Sequence, residues 1–139
     1  MTDATHGAEV RLVPPATWGT ELRREFERDQ YRGVVGSRLV SETDRVRVWW
    51  LRLVPGERIG FHRHVLPYFW TCVTGGRGRS NATDGSVLTP SYGIGETRHL
   101  DFGPGEFMVH DLQNVGDTEL LFTTVEFLDG PNRPLPVPA

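Results

Sequence analysis

The sequence contains no lysine; all fifteen of its cationic side chains are arginine. That absence excludes Schiff-base chemistry and lysine-linked pyridoxal phosphate, both of which need an amine nucleophile. It also excludes a Walker A phosphate loop, which needs its lysine. Cys72 is the only cysteine, so neither an intramolecular disulfide nor a multi-cysteine zinc site can form. A lone cysteine reads first as a small buried hydrophobe. A nucleophile would need a histidine partner and an activating environment. No apolar run approaches the length of a membrane span. The formal net charge of -3 leaves no electrostatic footprint for nucleic acid, and no basic helix suits a membrane surface. Met1–Thr5 lack the basic start and apolar stretch of a signal peptide, so the cytoplasm is the expected location.

What is present fits one domain. The 139 residues suffice for a single core. Trp18, Leu22 and Phe26 recur every four residues among charged neighbours, after Pro14-Pro15. This spacing predicts one short amphipathic helix. From Gly33 the pattern changes to short strands rich in β-branched and aromatic residues. They are expected at Val34–Val35, Arg38–Val40, Arg45–Leu53, Phe61–His64, Phe69–Val73, Arg98–Phe102, Phe107–Leu112 and Leu120–Phe127. Turn residues at Pro55-Gly56, Gly75-Gly76, Asp84-Gly85, Gly103-Pro104-Gly105 and Gly116-Asp117 separate them. Many short strands at fairly even spacing predict an all-β barrel or sandwich. The organisation expected is an arm and helix over residues 1–33, a barrel over 34–128 and an extended proline-rich tail over 129–139. Leu135 and Val137 in that tail suit either packing on a second subunit or a disordered end.

The stretch that carries chemistry is Gly56-Glu57-Arg58-Ile59-Gly60-Phe61-His62-Arg63-His64. On a strand, alternate residues face one side, so His62 and His64 point together. Two such imidazoles can share a metal ion if further ligands come from elsewhere. The plainer reading is a pair of exposed polar residues. Imidazole suits Zn, Fe, Ni and Cu alike.

The wider pattern resembles the cupin superfamily. Its first motif runs Gly, five residues, His-x-His, three or four residues, Glu, six residues, Gly. Here Gly56, His62-x-His64 and Gly75 stand at those places, with Tyr68 where the Glu is usual. The second motif ends in His, three residues, Asn, matched by His110 and Asn114, with Gly95 as the candidate opening glycine. The resemblance covers roughly residues 34–128. It implies a double-stranded β-helix, or jelly-roll barrel, with one divalent metal ion held by His62, His64 and His110. Tyr68 is then a fourth ligand, a proton donor or a hydrogen-bonding wall residue. Three neutral imidazoles leave the metal its full charge and open positions for water, oxygen or a bidentate substrate. This three-His arrangement looks like that of cupin dioxygenases that cleave β-diketones. Some metal-dependent lyases of the superfamily use a nearby Tyr. The layout is also similar to small single-domain cupins grouped with β-alanine degradation proteins.

The expected function is therefore that of a metal-dependent cupin enzyme acting on a small organic molecule, in the first place an Fe(II) dioxygenase. A Zn- or Ni-dependent lyase or isomerase and a non-catalytic ligand-binding barrel are the alternatives. A homodimer is expected. Candidate substrate contacts are Trp70 and Cys72, which continue the parity of the two histidines, with Trp50, Arg52 and His99. Each has a plainer role: core for Trp70, Cys72 and Trp50, solvated surface for Arg52 and His99. His99 is also the reserve ligand should His110 face away. His6 is expected to play no part. Asn114 is read as a turn-fixing residue. Glu126 lies in an apolar strand and needs a partner, an arginine being the natural one.

Overall fold

The computed structural model describes residues 9–138, so His6 lies outside the described residues. One helix, α1 (Thr20–Asp29), precedes β1 (Arg38–Glu42), β2 (Val46–Leu53), β3 (Arg58–His64), β4 (Tyr68–Cys72), β5 (Gly76–Asn81), β6 (Val87–Leu88), β7 (Ser91–Tyr92), β8 (Thr97–Leu100), β9 (Met108–Asn114) and β10 (Leu120–Phe127). The strands form two antiparallel sheets. One has the order β1-β2-β10-β4-β8, the other β3-β9-β5-β6, with β7 paired to β5. No helix among the described residues is long and apolar enough to cross a membrane.

Strand alternation decides what each sheet presents inward. Along β10, Leu120, Phe122, Thr124 and Glu126 are buried, and their neighbours in register are Leu53, Leu51, Trp49 and Arg47 of β2. On the other side of β10, Phe122, Thr124 and Glu126 face Cys72, Trp70 and Tyr68 of β4. Leu51, Leu53, Cys72, Leu112, Leu120 and Phe122 form one core cluster. A second joins Phe26 of α1 to Phe61 and Val109, with Trp18 stacked on Phe61. The helix therefore lies on the outer side of β3, and both faces of that strand are covered.

Val34–Val35 do not form the expected strand. The segment is squeezed between the tail and β2. A Cβ at Gly33 would lie 2.7 Å from Leu135 Cβ, and one at Gly36 would lie 2.8 Å from the Trp50 carbonyl oxygen. A strand that the sequence reading passed over, β5, runs through Gly76-Arg77-Gly78-Arg79-Ser80-Asn81. Glycine is required here by space: a Cβ at Gly78 would meet Leu112 Cδ1 at 2.8 Å.

The tail belongs to its own barrel. Leu135 is buried against Val65 and Leu66, and its carbonyl accepts from Arg47 Nη1 at 3.1 Å. The buried Asn132 amide donates to the carbonyls of Val65 and Gly103 and accepts from Gly105 N–H. Truncation of a buried leucine costs about 2–5 kcal/mol. Leu135→Ala is accordingly expected to lower the unfolding free energy by about 2–3 kcal/mol in urea titration. An unchanged midpoint would mean that the tail is not docked in solution.

Candidate metal centre

A β-bulge sets the geometry of the centre. Between Ile59 and His62 the register of β3 on β9 shifts, so Gly60 and Phe61 together oppose Asp111. This brings His62 directly opposite His110, with His64 opposite Met108. The ligand-capable nitrogens of His62, His64 and His110 all lie within 4.8 Å of one another.

The hydrogen bonds around these rings indicate which nitrogen is free. His62 Nδ1 lies 2.8 Å from the Gly60 carbonyl oxygen. A carbonyl only accepts, so Nδ1 carries the proton and Nε2 keeps its lone pair. The Nε2 atoms of His64 and His110 face each other at 3.2 Å. Two nitrogens bound to one ion at about 2.0–2.1 Å, at angles between square and tetrahedral, stand about 3.0–3.4 Å apart. His64 Nδ1 is buried and has no partner. That nitrogen lies across the ring from Nε2, so the case for an ion rests on the converging Nε2 atoms, whose lone pairs a divalent cation would bind. The three residues fit a metal ion.

Burial holds all three imidazoles neutral, the form a metal requires. It lowers His62 to about 3, with His110 adding to the effect, and lowers His110 to about 4. His64 is pushed well below its ordinary value by burial, then by its two histidine neighbours.

The supporting contacts run back to the helix. Glu25 of α1 accepts from the Phe61 N–H at 3.2 Å. That N–H and the Gly60 carbonyl belong to one peptide group, and the carbonyl orients His62. Glu25 also takes both terminal nitrogens of Arg58, at 2.7 and 2.8 Å. Burial would raise the Glu25 carboxyl, but the Arg58 and Phe61 hydrogen bonds outweigh it and hold the group below its ordinary value. Arg58 continues to Asp111, which also accepts from the backbone and side-chain nitrogens of Asn81. Asp111 follows His110 in the chain and fixes β9 from behind. Gly60 makes the approach possible, since a Cβ there would stand 3.0 Å from Glu25 Oε2.

No family model matches the chain, and no curated protein matches it either. Solved structures do. A cupin domain from Bordetella pertussis Tohama I is 28% identical, with a TM-score of 0.57, covering 65% of this chain and 88% of that one. An RmlC-like cupin family protein with a double-stranded β-helix fold from Methanocaldococcus jannaschii is 18% identical, with a TM-score of 0.51, covering 65% and 76%. The chain has the cupin fold. The expected all-β cupin architecture with one short helix is what the structure has, and the three-histidine cluster fits a cupin metal site.

The cupin fold holds a cavity of about 510 Å³ that opens to solvent, and all three histidines line it. Tyr68, Trp70, Tyr92, Phe122 and Thr124 contribute to the walls. The parity that linked Tyr68 to the histidines does not run along one strand, because β3 and β4 belong to different sheets. Tyr68 reaches the same cavity because the two inner faces oppose each other. Its ring stacks on His64, with centroids 4.2 Å apart and planes 11° apart. Tyr68 thus lies face to face with one of the three histidines and stands beside the cluster. Burial, then the Glu126 carboxyl, pushes the phenol above its ordinary value, so it stays protonated as a donor.

Other candidates divide by the direction they face. Trp70 lines the cavity. Cys72 is fully buried in the core cluster and does not reach the lining. Trp50 and Arg52 are corrected: both lie on the outer face of β2, Trp50 at 47% exposure and Arg52 paired with Glu119. His99 also faces out, against Phe69, while its neighbour Arg98 turns inward. Asn114 fixes the chain as expected, donating to the Leu53 and Thr118 carbonyls. Arg98 and Glu25 were missed. Leu100, the one apolar residue of β8, carried the signal for Arg98, since inward Leu100 implies inward Arg98. Nothing local marks Glu25, which meets Arg58 only through the fold.

Glu126 finds its direct partner in the Trp49 indole, whose Nε1–H donates at 2.8 Å; Arg47 is its cross-strand neighbour. Burial raises its carboxyl to about 7 from 4.5, against the pull of Trp49 and Arg47. A raised acid favours the folded state fully below the unfolded value, and that contribution is lost as pH rises through 7. Glu126→Gln, which keeps an acceptor for the indole, should therefore melt above the wild type at pH 8 and close to it near pH 4.5. Equal melting temperatures at pH 8 would refute the buried acid. The histidines act with the opposite sign. Their lowered values make stability present above 6.5 and lost as pH falls toward 4 and then 3.

Proposed function

We propose that the protein is a mononuclear metal enzyme acting on a small organic molecule, in the first place as an Fe(II)-dependent dioxygenase. The observation that carries this reading is an all-imidazole ligand set at the wall of a cavity of about 510 Å³. Three protein ligands leave open positions facing the cavity, the pattern of catalytic and not structural sites. A bound divalent ion supplies Lewis acidity toward a chelated oxygen and, as iron(II), redox chemistry with dioxygen. In the overall balance both atoms of dioxygen enter the cleaved product, and the substrate supplies the electrons.

The chain's own residues bind, orient and protect. His62 is held in one tautomer by Gly60, which leaves its Nε2 unprotonated toward the cluster. The Tyr68 hydroxyl, protonated and without a hydrogen-bond partner among the described residues, donates to an oxygen of bound substrate. Trp70, Tyr92 and Phe122 meet edge to face, with ring centroids 4.9–5.4 Å apart. This wall excludes water from the substrate's apolar part.

The protonated phenol beside the histidines favours a second reading, a Zn- or Ni-dependent lyase or isomerase in which Tyr68 delivers a proton. Oxygen consumption separates the two. Iron-loaded protein screened anaerobically and aerobically against small diketones and organic acids should turn over only with oxygen. Turnover of the zinc form without oxygen would overturn the dioxygenase reading in favour of the second.

A further inference from the structure

We propose that Arg98 forms an anion-binding subsite of the cavity, and that the ligand is a small organic acid with an apolar body. The ligand's carboxylate pairs with the guanidinium while a donor oxygen at its other end meets the histidine cluster. This deepens the function proposed above and rests on it for the second contact.

Arg98 is placed by register. It opposes Trp70, and Leu100 opposes Tyr68. Thr97 and His99 point outward, where Thr97 bonds Thr71 and His99 meets Phe69. Arg98 and Leu100 therefore point inward, and both line the cavity with the histidines. Among the described residues, Arg98 is the only arginine in that lining. Its positive charge acts on the Tyr68 and Tyr92 phenols, lowering both against the upward push of burial.

Arg98 is exposed at the mouth of the cavity, and its position in the lining beside the histidines is what points to a ligand. Arg47, Arg52 and Arg58 are each paired with a carboxylate, whereas, among the described residues, the exposed Arg77 and Arg79, like Arg98, are not, and of these three only Arg98 lines the cavity. The Arg98 side chain has no hydrogen bond or ion pair among the described residues. The one acidic residue in the lining among the described residues, Glu96, is engaged elsewhere: its Oε1 accepts from the Gly93 N–H at 2.9 Å.

Charge balance then selects the ligand class. The three imidazoles are neutral and bring no negative charge to a divalent ion. With Arg98, the cavity has an excess of positive charge between mostly apolar walls, where such charge is felt more strongly than in water. A neutral ligand leaves this excess in place, and an acid offsets it. Guanidinium receives a carboxylate through two parallel N–H donors. Trp70, Phe122, Leu100 and Met108 offer contact area and few hydrogen bonds. That favours a hydrocarbon or aromatic body for the part of the ligand that meets them.

The test uses the full chain loaded with zinc, its metal content measured on the same sample. The probes are hydroxamates of graded chain length ending in a carboxylate, against the matched terminal amides, followed by Trp fluorescence. At the best length the carboxylate should bind about three- to tenfold tighter than the amide, the range of a partly exposed charged pair. Arg98→Gln should lose that preference and leave the amide's affinity unchanged. Metal-loaded protein with no preference, or a preference that survives in Arg98→Gln, overturns the subsite and leaves the metal reading intact. If the wild type retains no metal, the metal reading fails. The same comparison on that sample still decides Arg98: a carboxylate preference that Arg98→Gln removes supports it, and equal binding overturns it.

Discussion

His64→Ala is expected to weaken metal binding by about 10²–10³-fold while leaving the metal-free protein folded. Four-ligand zinc sites contribute about 10–16 kcal/mol, so one ligand accounts for about 3–4 kcal/mol, which is that factor in affinity. The metal-free fold should tolerate the change for a structural reason. His64 Nδ1 is a buried nitrogen without a partner, and its removal deletes an unsatisfied group along with some packing. Competition against a chromophoric chelator gives the affinity, and urea titration of the metal-free protein gives the stability. His99→Ala is the matched control, since His99 is exposed on the outer face and should bind metal as the wild type does. If His64→Ala and His99→Ala behave alike, the cluster is not a metal site.

Glu25→Gln is expected to lower metal affinity by about tenfold, although Glu25 touches none of the three histidines' ligand atoms. The carboxylate binds the Phe61 N–H, and the same peptide's carbonyl receives the His62 Nδ1 proton. An anion on the N–H side polarises the peptide and strengthens its carbonyl as an acceptor. The carbonyl in turn keeps His62 Nε2 free and more basic. Loss of such outer contacts costs roughly 10–100-fold in metal affinity, and glutamine keeps an acceptor, so the lower end applies. Nitrogen-15 spectra of the His62 ring give a second readout: the variant should populate the other tautomer in the metal-free state. Glu21→Gln, on the exposed side of the same helix, should change neither quantity. An unshifted tautomer with unchanged affinity would reduce the helix contact to a purely structural one.

The residues that were legible in the sequence share one property: their spacing along the chain maps directly onto direction in space. His62 and His64 alternate on one strand, and His110 lies on the strand that pairs with it. Residues 45–53 were harder because both parities are apolar. Val46, Val48 and Trp50 alternate with Trp49, Leu51 and Leu53, and only packing tells which set is inside. The core takes the second set, which sends Trp50 and Arg52 to the surface. β5 was illegible because its glycines serve close approach to Leu112 and Leu120, and a strand of glycine and arginine has no propensity signature. The Glu25–Arg58–Asp111 network spans α1, β3 and β9 and exists only once these elements meet. The tail misled through composition. Its prolines forbid helix, but the buried Asn132 and Leu135 still dock it.

The most direct test of the account is the metal content of protein purified without a metal-binding tag and reconstituted anaerobically with iron(II). The account predicts one ion per chain, retained through gel filtration at pH 7.5 and released on acidification as the three imidazoles protonate. Protein that emerges with no bound metal would contradict it, and the neutral histidine cluster would then be no more than a polar wall of the cavity.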